Sequence, residues 1–152
     1  MSVATLTPAT ITDSEVKAFA KDWYHKLDIH APLEEFRALL ASDGLEMVFP
    51  EVTARGWEGY RDWYERVIRL FFDEVHIVKE TKIIRNTGEK AEVKVVVRWE
   101  ASVWKAPAPR SERIILDAFQ TWTVQRSPET QKLVISRYVV DSLQYAEGSA
   151  KL

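Results

Sequence analysis

The sequence predicts an α+β domain in which three N-terminal helices pack into the concave face of a curved, mostly antiparallel sheet. Two observations carry that expectation. The first is order: three- and four-residue apolar spacing is confined to residues 13–72, and strand patterning fills the chain from residue 74 to 143. Helices followed by a run of strands is the pattern of an α+β layer pair. The second is a pair of long arms, 91–104 (AEVKVVVRWEASVW) and 112–124 (ERIILDAFQTWTV), flanking a loop that holds Pro107 and Pro109. Each is more than twice the ordinary strand of about 5–6 residues. Both are rich in β-branched and aromatic residues, which fit a pleated, half-buried surface. Strands of that length can bend a sheet into a trough that a ligand occupies.

The elements follow in order. Thr12-Asp13-Ser14-Glu15 is a capping box. Val16, Phe19, Ala20, Trp23 and Leu27 come next at helical spacing, which predicts a helix over 13–28. Ile29-His30-Ala31 breaks it, and Pro32 suits the first turn of a second helix with Leu33, Phe36, Leu39 and Leu40 as its buried stripe. Ser42-Asp43-Gly44 ends that helix. Residues 45–49 read as a short strand stopped by Pro50, and 51–56 as a loop. A third helix is expected over about 57–72, with Tyr60, Trp63, Tyr64, Val67, Ile68 and Phe71 on one face. Asp62 with Arg66 and Glu65 with Arg69 support its exposed side. Strands are expected over 74–85, 90–105, 112–126 and 131–143, with turns at Asn86-Thr87-Gly88 and Ser127-Pro128-Glu129-Thr130. Residues 1–11 and 146–152 read as loose tails.

Length and composition narrow the function classes. The 152 residues read as one domain, and a chain of this size buries roughly 70% of its unfolded surface without a staple. Six Trp, six Phe and five Tyr fill a core or line a cavity. A net charge of −2 gives no electrostatic case for nucleic acid or an anionic membrane. The absence of cysteine excludes a disulfide framework, a thiolate metal site and a cysteine nucleophile, and fits a reducing, cytoplasmic setting. Met1 to Thr12 lacks the basic start and apolar run of a secretory leader, and no stretch approaches the 18 or so apolar residues of a membrane helix. His25, His30 and His76 have no metal-binding spacing, so neither a metal nor an organic cofactor is expected.

The element order, Phe49-Pro50 before a loop, the aromatic third helix, Val97-Arg98-Trp99 and Leu116-Asp117-Ala118-Phe119 resemble the nuclear transport factor 2-like superfamily. Within it the chain looks most like the SnoaL-like and ketosteroid-isomerase-like branch, over residues 12–143. The resemblance implies a cone-shaped α+β barrel with helices inside the sheet, a cavity between them, and for many members a homodimer. It carries over residue by residue only in part. Where ketosteroid isomerases place a carboxylate base at the end of the first strand, this chain has Phe49; their tyrosine donor falls at Trp23, beside Tyr24. Their Asp-x-Phe matches Asp117-Ala118-Phe119. The Arg-x-Asp of limonene epoxide hydrolases is matched loosely by Arg98-Trp99-Glu100, and their last-strand aspartate falls at Tyr138. The Gly-x-His of SnoaL-like cyclases has no counterpart in Ala101-Ser102-Val103-Trp104.

Alternation puts Val93, Val95, Val97, Trp99, Ala101 and Val103 on one apolar face, expected to be concave. The family match puts Ile115, Asp117, Phe119 and Thr121 on the same side. Asp117 is therefore the candidate acid or oxyanion donor, kept neutral by apolar neighbours, and Tyr138 its hydrogen-bonding helper. The plainer alternative pairs Asp117 with an arginine or turns it outward. Trp23, Phe49, Tyr60, Trp63, Val97, Trp99 and Phe119 are the expected pocket wall, or simply core. Arg98, Glu100 and Trp104 fall on the convex face, together with Leu116, Trp122 and Val124. An apolar patch there predicts a homodimer through Arg98, Glu100, Trp104 and Trp122. His76 begins a strand and its side is open, and no general base is placed.

The expected function is a cofactor-free isomerase, cyclase or dehydratase acting on a small hydrophobic, cyclic or aromatic substrate. The alternative is a non-catalytic dimeric ligand-binding or scaffold protein of the same fold, its cavity filled by side chains. Cavity volume separates the two.

Overall fold

A computed structural model describes residues 10–152; the first nine residues of the expected N-terminal tail lie outside it. The order is α1 (Asp13–Asp28), a 3-10 helix (Leu33–Leu39), β1 (Glu46–Val48), β2 (Thr53–Arg55), α2 (Gly56–Leu70), β3 (Phe71–Asn86), β4 (Lys90–Val103), β5 (Glu112–Arg126) and β6 (Leu133–Tyr145). The strands form one open, curved mixed sheet in the order β2-β1-β6-β5-β4-β3. β1 runs parallel to β6, and every other pairing is antiparallel. The expected second α-helix is 3-10 throughout. Leu33, Phe36 and Leu39 recur every third residue, and three residues per turn aligns such a set on one face. β2 lies inside the expected 51–56 loop; three residues are too few to show a period.

Local chemistry fixes α1. The Thr12 hydroxyl accepts from the Glu15 backbone N–H at 3.2 Å, as the capping box predicts. The Glu15 carboxylate instead grips Arg126 at the end of β5, taking Nη2 at 2.7 Å on one oxygen and Nη1 on the other. That hydrogen bonding holds the Glu15 carboxyl below its ordinary range and raises Arg126. α2 sits close on β2 because Gly59 has no side chain: a Cβ there would come 3.0 Å from the Ala54 carbonyl carbon.

Register decides which face of the sheet is inside. Val97 lies opposite Ala118, Val95 opposite Gln120 and Val93 opposite Trp122. Residues directly opposite one another share a face. Leu116, Ala118, Gln120, Trp122 and Val124 are accordingly buried with the valines of β4, while Ile115, Asp117, Phe119 and Thr121 are half-buried on the other side. This corrects the expected face of β5, which had been set by family match and not by its own alternation. Trp122 is 0% exposed, with its ring among Phe19, Trp23, Tyr24 and Tyr138. A one-residue slip would expose it and bury Asp117, two unfavourable changes at once.

The C-terminal segment is not a loose tail. The Ala146 N–H donates to Ile115 O at 2.9 Å, Ala150 N–H to Arg113 O at 3.0 Å, and Ser149 Oγ accepts from Ile115 N–H at 2.8 Å. These bonds satisfy backbone groups at the start of β5.

Candidate functional site

A cavity of about 110 Å³ opens between α1, α2 and the concave face of the sheet. Its wall is mainly apolar: Phe49, Trp63, Val67, Ile68, Phe71, Val97, Trp99, Leu116, Ala118, Val140 and Leu143. It reaches solvent past Pro50, Glu51 and Leu152, all exposed. The Phe49 and Trp63 rings stack at 3.9 Å with 3° between their planes and form a flat wall. Among the described residues no lysine or arginine lines the cavity; its polar groups include Glu74, His76, Gln120 and Tyr138.

His76 is held by Asp28, the last residue of α1. Asp28 Oδ1 takes His76 Nδ1 at 2.6 Å, and Oδ2 accepts the His76 backbone N–H at 3.0 Å. A carboxylate at a helix C-terminus opposes the dipole, so Asp28 depends on these two donors. With Nδ1–H donating to Asp28, Nε2 is the ring nitrogen left for a molecule in the cavity. The imidazole lies against Tyr24, with centroids 4.6 Å apart, and faces the Trp99 ring at 6.2 Å.

A β-bulge puts His76 inside. Phe72 lies opposite Ser102 and Val75 opposite Glu100, so one extra residue of β3 enters between them, with Asp73 in the left-handed region at φ 50°. The bulge reverses the inward–outward alternation and turns both Glu74 and His76 to the cavity. Glu74 Oε1 accepts from Trp99 Nε1 at 3.0 Å, and Oε2 meets His30 Nε2. The end of α1 and the start of β3 are thus joined by two crossed acid–histidine pairs. In one the histidine faces the cavity; in the other the carboxylate does.

Tyr138 lines the cavity, and Tyr24 lies buried behind it. The Tyr24 hydroxyl donates to Gln120 Oε1 at 3.0 Å, an oxygen that also accepts from Trp122 Nε1 at 2.8 Å. The Tyr138 hydroxyl lies 3.3 Å from that of Tyr24. Burial pushes the Tyr24 phenol well above its ordinary range, and the neighbouring Tyr138 adds to this. Burial likewise raises Tyr138, partly offset by hydrogen bonds. Both phenols therefore keep their protons. The Tyr24–Tyr138 contact is longer than the usual O–H···O distance of about 2.7–2.8 Å, and Tyr138 lies on the cavity wall, so its hydroxyl is placed to meet a ligand.

Of the residues singled out in the sequence, Phe49, Trp63, Val97, Trp99 and Tyr138 line this cavity. Trp23 and Tyr60 are fully buried behind it, Trp23 edge-on to Phe36 at 5.4 Å. Phe119 is half-buried on the opposite face. Asp117 is on that outer face too, 2.8 Å from Lys79 Nζ; its expected place in the cavity is corrected by the register. Trp122 is core and not convex surface, whereas Arg98 and Glu100 pair with each other at 2.9 Å and Trp104 is 53% exposed. Among the described residues no group of acidic or histidine side chains is arranged to hold a metal. Sequence reasoning missed Asp28, Glu74 and Gln120, and left His76 unplaced. One signal was present: an acid in the last turn of α1, where a cation belongs.

The chain has the fold of the nuclear transport factor 2-like superfamily. It is similar to a member from Salmonella enterica serovar Typhimurium, at 14% identity and a TM-score of 0.68 over 91% of each chain. It is also similar to the hexachlorocyclohexane dehydrochlorinase LinA-type3 from Novosphingobium barchaimii, at 15% identity and TM-score 0.70 over 91% of this chain and 92% of that one. A candidate scytalone dehydratase from Novosphingobium aromaticivorans matches at 18% identity and TM-score 0.70, over 91% of this chain and 87% of that one. At these identities the likeness is one of fold. No family model matches the chain, and no curated protein matches it in sequence. Among the described residues no helix is long and apolar enough to cross a membrane.

Proposed function

We propose that the protein is a cofactor-independent enzyme that moves a proton in a small, hydrophobic, ring-bearing substrate, as a dehydratase, isomerase or cyclase. The observation that carries this reading is the Asp28–His76 pair on the wall of an apolar cavity. His76 Nε2 is the general base and takes a proton from carbon. Asp28 fixes the tautomer and offsets the imidazolium that forms, a division of labour that geometry defines. Tyr138 donates a hydrogen bond to the oxygen on which negative charge grows, or to the departing group. Two neighbours in fold carry the names of eliminations, a dehydratase and a dehydrochlorinase. Both reaction types remove a proton and a leaving group from neighbouring atoms, and removal of that proton is the role proposed for His76.

One observation favours a second reading, a ligand-binding or scaffold protein. The cavity of about 110 Å³ is well below the 300 Å³ or more of a drug-sized site. Proton NMR in deuterated buffer separates the two. Wild type and His76→Gln are incubated with a panel of uncharged cyclic ketones and alcohols. The enzyme reading expects loss of a C–H signal with wild type, at least about 100-fold slower in the variant. Binding by wild type without exchange of any panel member would establish the second reading instead. We also propose a homodimer through the convex face, where exposed Val75 and Ile77 adjoin the Arg98–Glu100 pair; light scattering that gives a monomer refutes it.

A further inference from the structure

The proposed reaction makes no use of Glu74, a charged group on the cavity wall. Glu74 has an 8% exposed side chain and lines the mainly apolar wall two residues before His76 on the same strand. Its two oxygens receive one protein donor each, Trp99 Nε1 and His30 Nε2. A carboxylate offers about four acceptor positions, so two stay open. No lysine or arginine among the described residues lines the cavity to occupy them. A buried carboxylate oxygen with a free lone pair facing a cavity is placed to accept from a further donor. The bulge at Asp73 turns Glu74 inward, and the tie to His30 keeps it there.

We propose that Glu74 is a hydroxyl-reading subsite: it accepts a hydrogen bond from an O–H group on the ring of the bound molecule. The ligand class is thereby narrowed from a hydrophobic ring to a hydroxylated ring, phenolic or alcoholic, in its uncharged form. His30 is a positioning residue that holds the carboxylate, and Trp99 is both a wall of the cavity and a donor that orients Glu74. An O–H donor satisfies the acceptor where an apolar isostere leaves it bare, so discrimination exceeds what shape alone gives. A carboxylate on the ligand is rejected, because it would face Glu74 with no cation on the wall.

The proposal rests on the cavity being a ligand site, and its test does not use catalysis. p-Cresol and p-xylene are nearly the same shape and differ in one O–H donor. Affinities of the intact protein for each are measured by proton–nitrogen chemical-shift titration near pH 6.5, where the phenol is uncharged. Wild type is expected to favour p-cresol by about tenfold or more. Glu74→Met, which removes the acceptor, abolishes that preference and leaves p-xylene binding within twofold. His76→Gln keeps the preference. Equal binding of the two probes by wild type, no binding of either, a preference that survives in Glu74→Met, or one lost in His76→Gln instead, overturns the proposal. Should Glu74→Met fail to fold, Glu74→Gln serves, with a preference reduced at least threefold expected. Loss of C–H exchange in His76→Gln is read separately, so failure of the subsite and failure of the base are distinct results.

Discussion

Replacing Asp28 with asparagine tests the centre of the site. The carboxylate accepts two hydrogen bonds from His76, the ring Nδ1–H at 2.6 Å and the backbone N–H at 3.0 Å. The Asp28 and His76 side chains are 20% and 10% exposed, so water screens the pair weakly. Hydrogen bonds to a charged group contribute about 1.5–3 kcal/mol each. Asparagine keeps one acceptor oxygen and presents N–H₂ where the second was. The oxygen can still accept the His76 backbone N–H, but the amide meets the ring Nδ1–H donor to donor until the ring changes tautomer. Both charge-assisted bonds then become neutral ones of about 0.5–1.5 kcal/mol, for a net loss of about 2–3 kcal/mol with the forced tautomer included. In a domain of this size about 2–4 °C of Tm accompanies each kcal/mol, so calorimetry should record a fall of about 5–10 °C. The ring relieves the clash by moving its proton to Nε2, leaving Nδ1 to accept from the amide. The base then points its N–H at the substrate, and C–H exchange should fall about 10³-fold or more with little change in KM. Nitrogen-15 spectra of the imidazole read the tautomer directly. An unchanged tautomer together with a Tm within 1 °C of wild type would falsify the pairing as the organising contact of the site.

Other substitutions test the surroundings. Asp117→Asn should cost at most about 1 kcal/mol and leave C–H exchange unaltered, since Asp117 meets a half-exposed Lys79 outside the cavity; a loss of exchange would return Asp117 to the mechanism. Glu15→Gln removes the bidentate grip on Arg126. Because Glu15 is about one-third exposed, the screened cost is about 1 kcal/mol. The Glu15 carboxyl is lowered in the folded state, chiefly by its hydrogen bond from Arg126, so this contribution is present above about pH 4.5 and fades as pH falls through the lower folded value. Urea melts of both proteins at pH 7 and pH 3 should therefore converge in acid, and a constant gap would contradict the assignment. The Tyr64 phenol, pushed up to about 12 by burial, donates to Ala31 O at 2.6 Å. Tyr64→Phe should cost about 1 kcal/mol at pH 7. A folded value raised above the unfolded one near 10 means that the advantage is full below pH 10 and is lost between about 10 and 12. A gap to Tyr64→Phe that widens across that window would show the sign to be wrong.

The layer order was legible because it rests on periodicity: the α1 stripe through Trp23 and Leu27, the α2 face through Tyr60 and Tyr64, and the four long strands each repeat often enough to show a period. The face of β5 was legible too. Leu116, Ala118, Trp122 and Val124 form a clean alternating apolar set, and Gln120 is the one polar member. Giving weight to a family Asp-x-Phe over that alternation inverted the strand and carried Asp117 into a cavity it does not line. The site itself was hidden for a different reason. Its inward residues on β3 depend on the bulge at Asp73, and a single inserted residue leaves no mark in a pattern of Phe72, Val75, Ile77 and Val78. Gln120 was hidden by type, since a polar residue among apolar ones reads as a surface position until Tyr24 and Trp122 are seen to meet its oxygen.

The same bulge explains why proton chemistry is concentrated at this end of the sheet. Elsewhere on the concave face β3 and β4 supply Val78, Ile83, Val93, Val95 and Val97, which can bind but cannot exchange a proton. Reversing the alternation at Asp73 brings two titratable side chains inward within three residues. An unpaired inward charge would destabilise the fold, so each needs a counterpart. α1 ends at the right place to provide both, with Asp28 on its last turn and His30, at φ 49°, just beyond it. The left-handed residue after the helix and the left-handed residue in the bulge are the two strained points of the arrangement, and they flank the crossed pairs. Removing either strain should therefore uncouple stability from function. Relaxing Asp73 with Asp73→Gly relieves a positive φ and should raise or preserve Tm, because glycine accepts that conformation freely. The site should be retained, since the bulge is set by the pairing of Phe72 with Ser102 and Val75 with Glu100. Deleting residue 73 outright should instead turn Glu74 and His76 to the convex face and abolish C–H exchange. Retention of exchange in the deletion variant would refute the bulge as the device that builds the site.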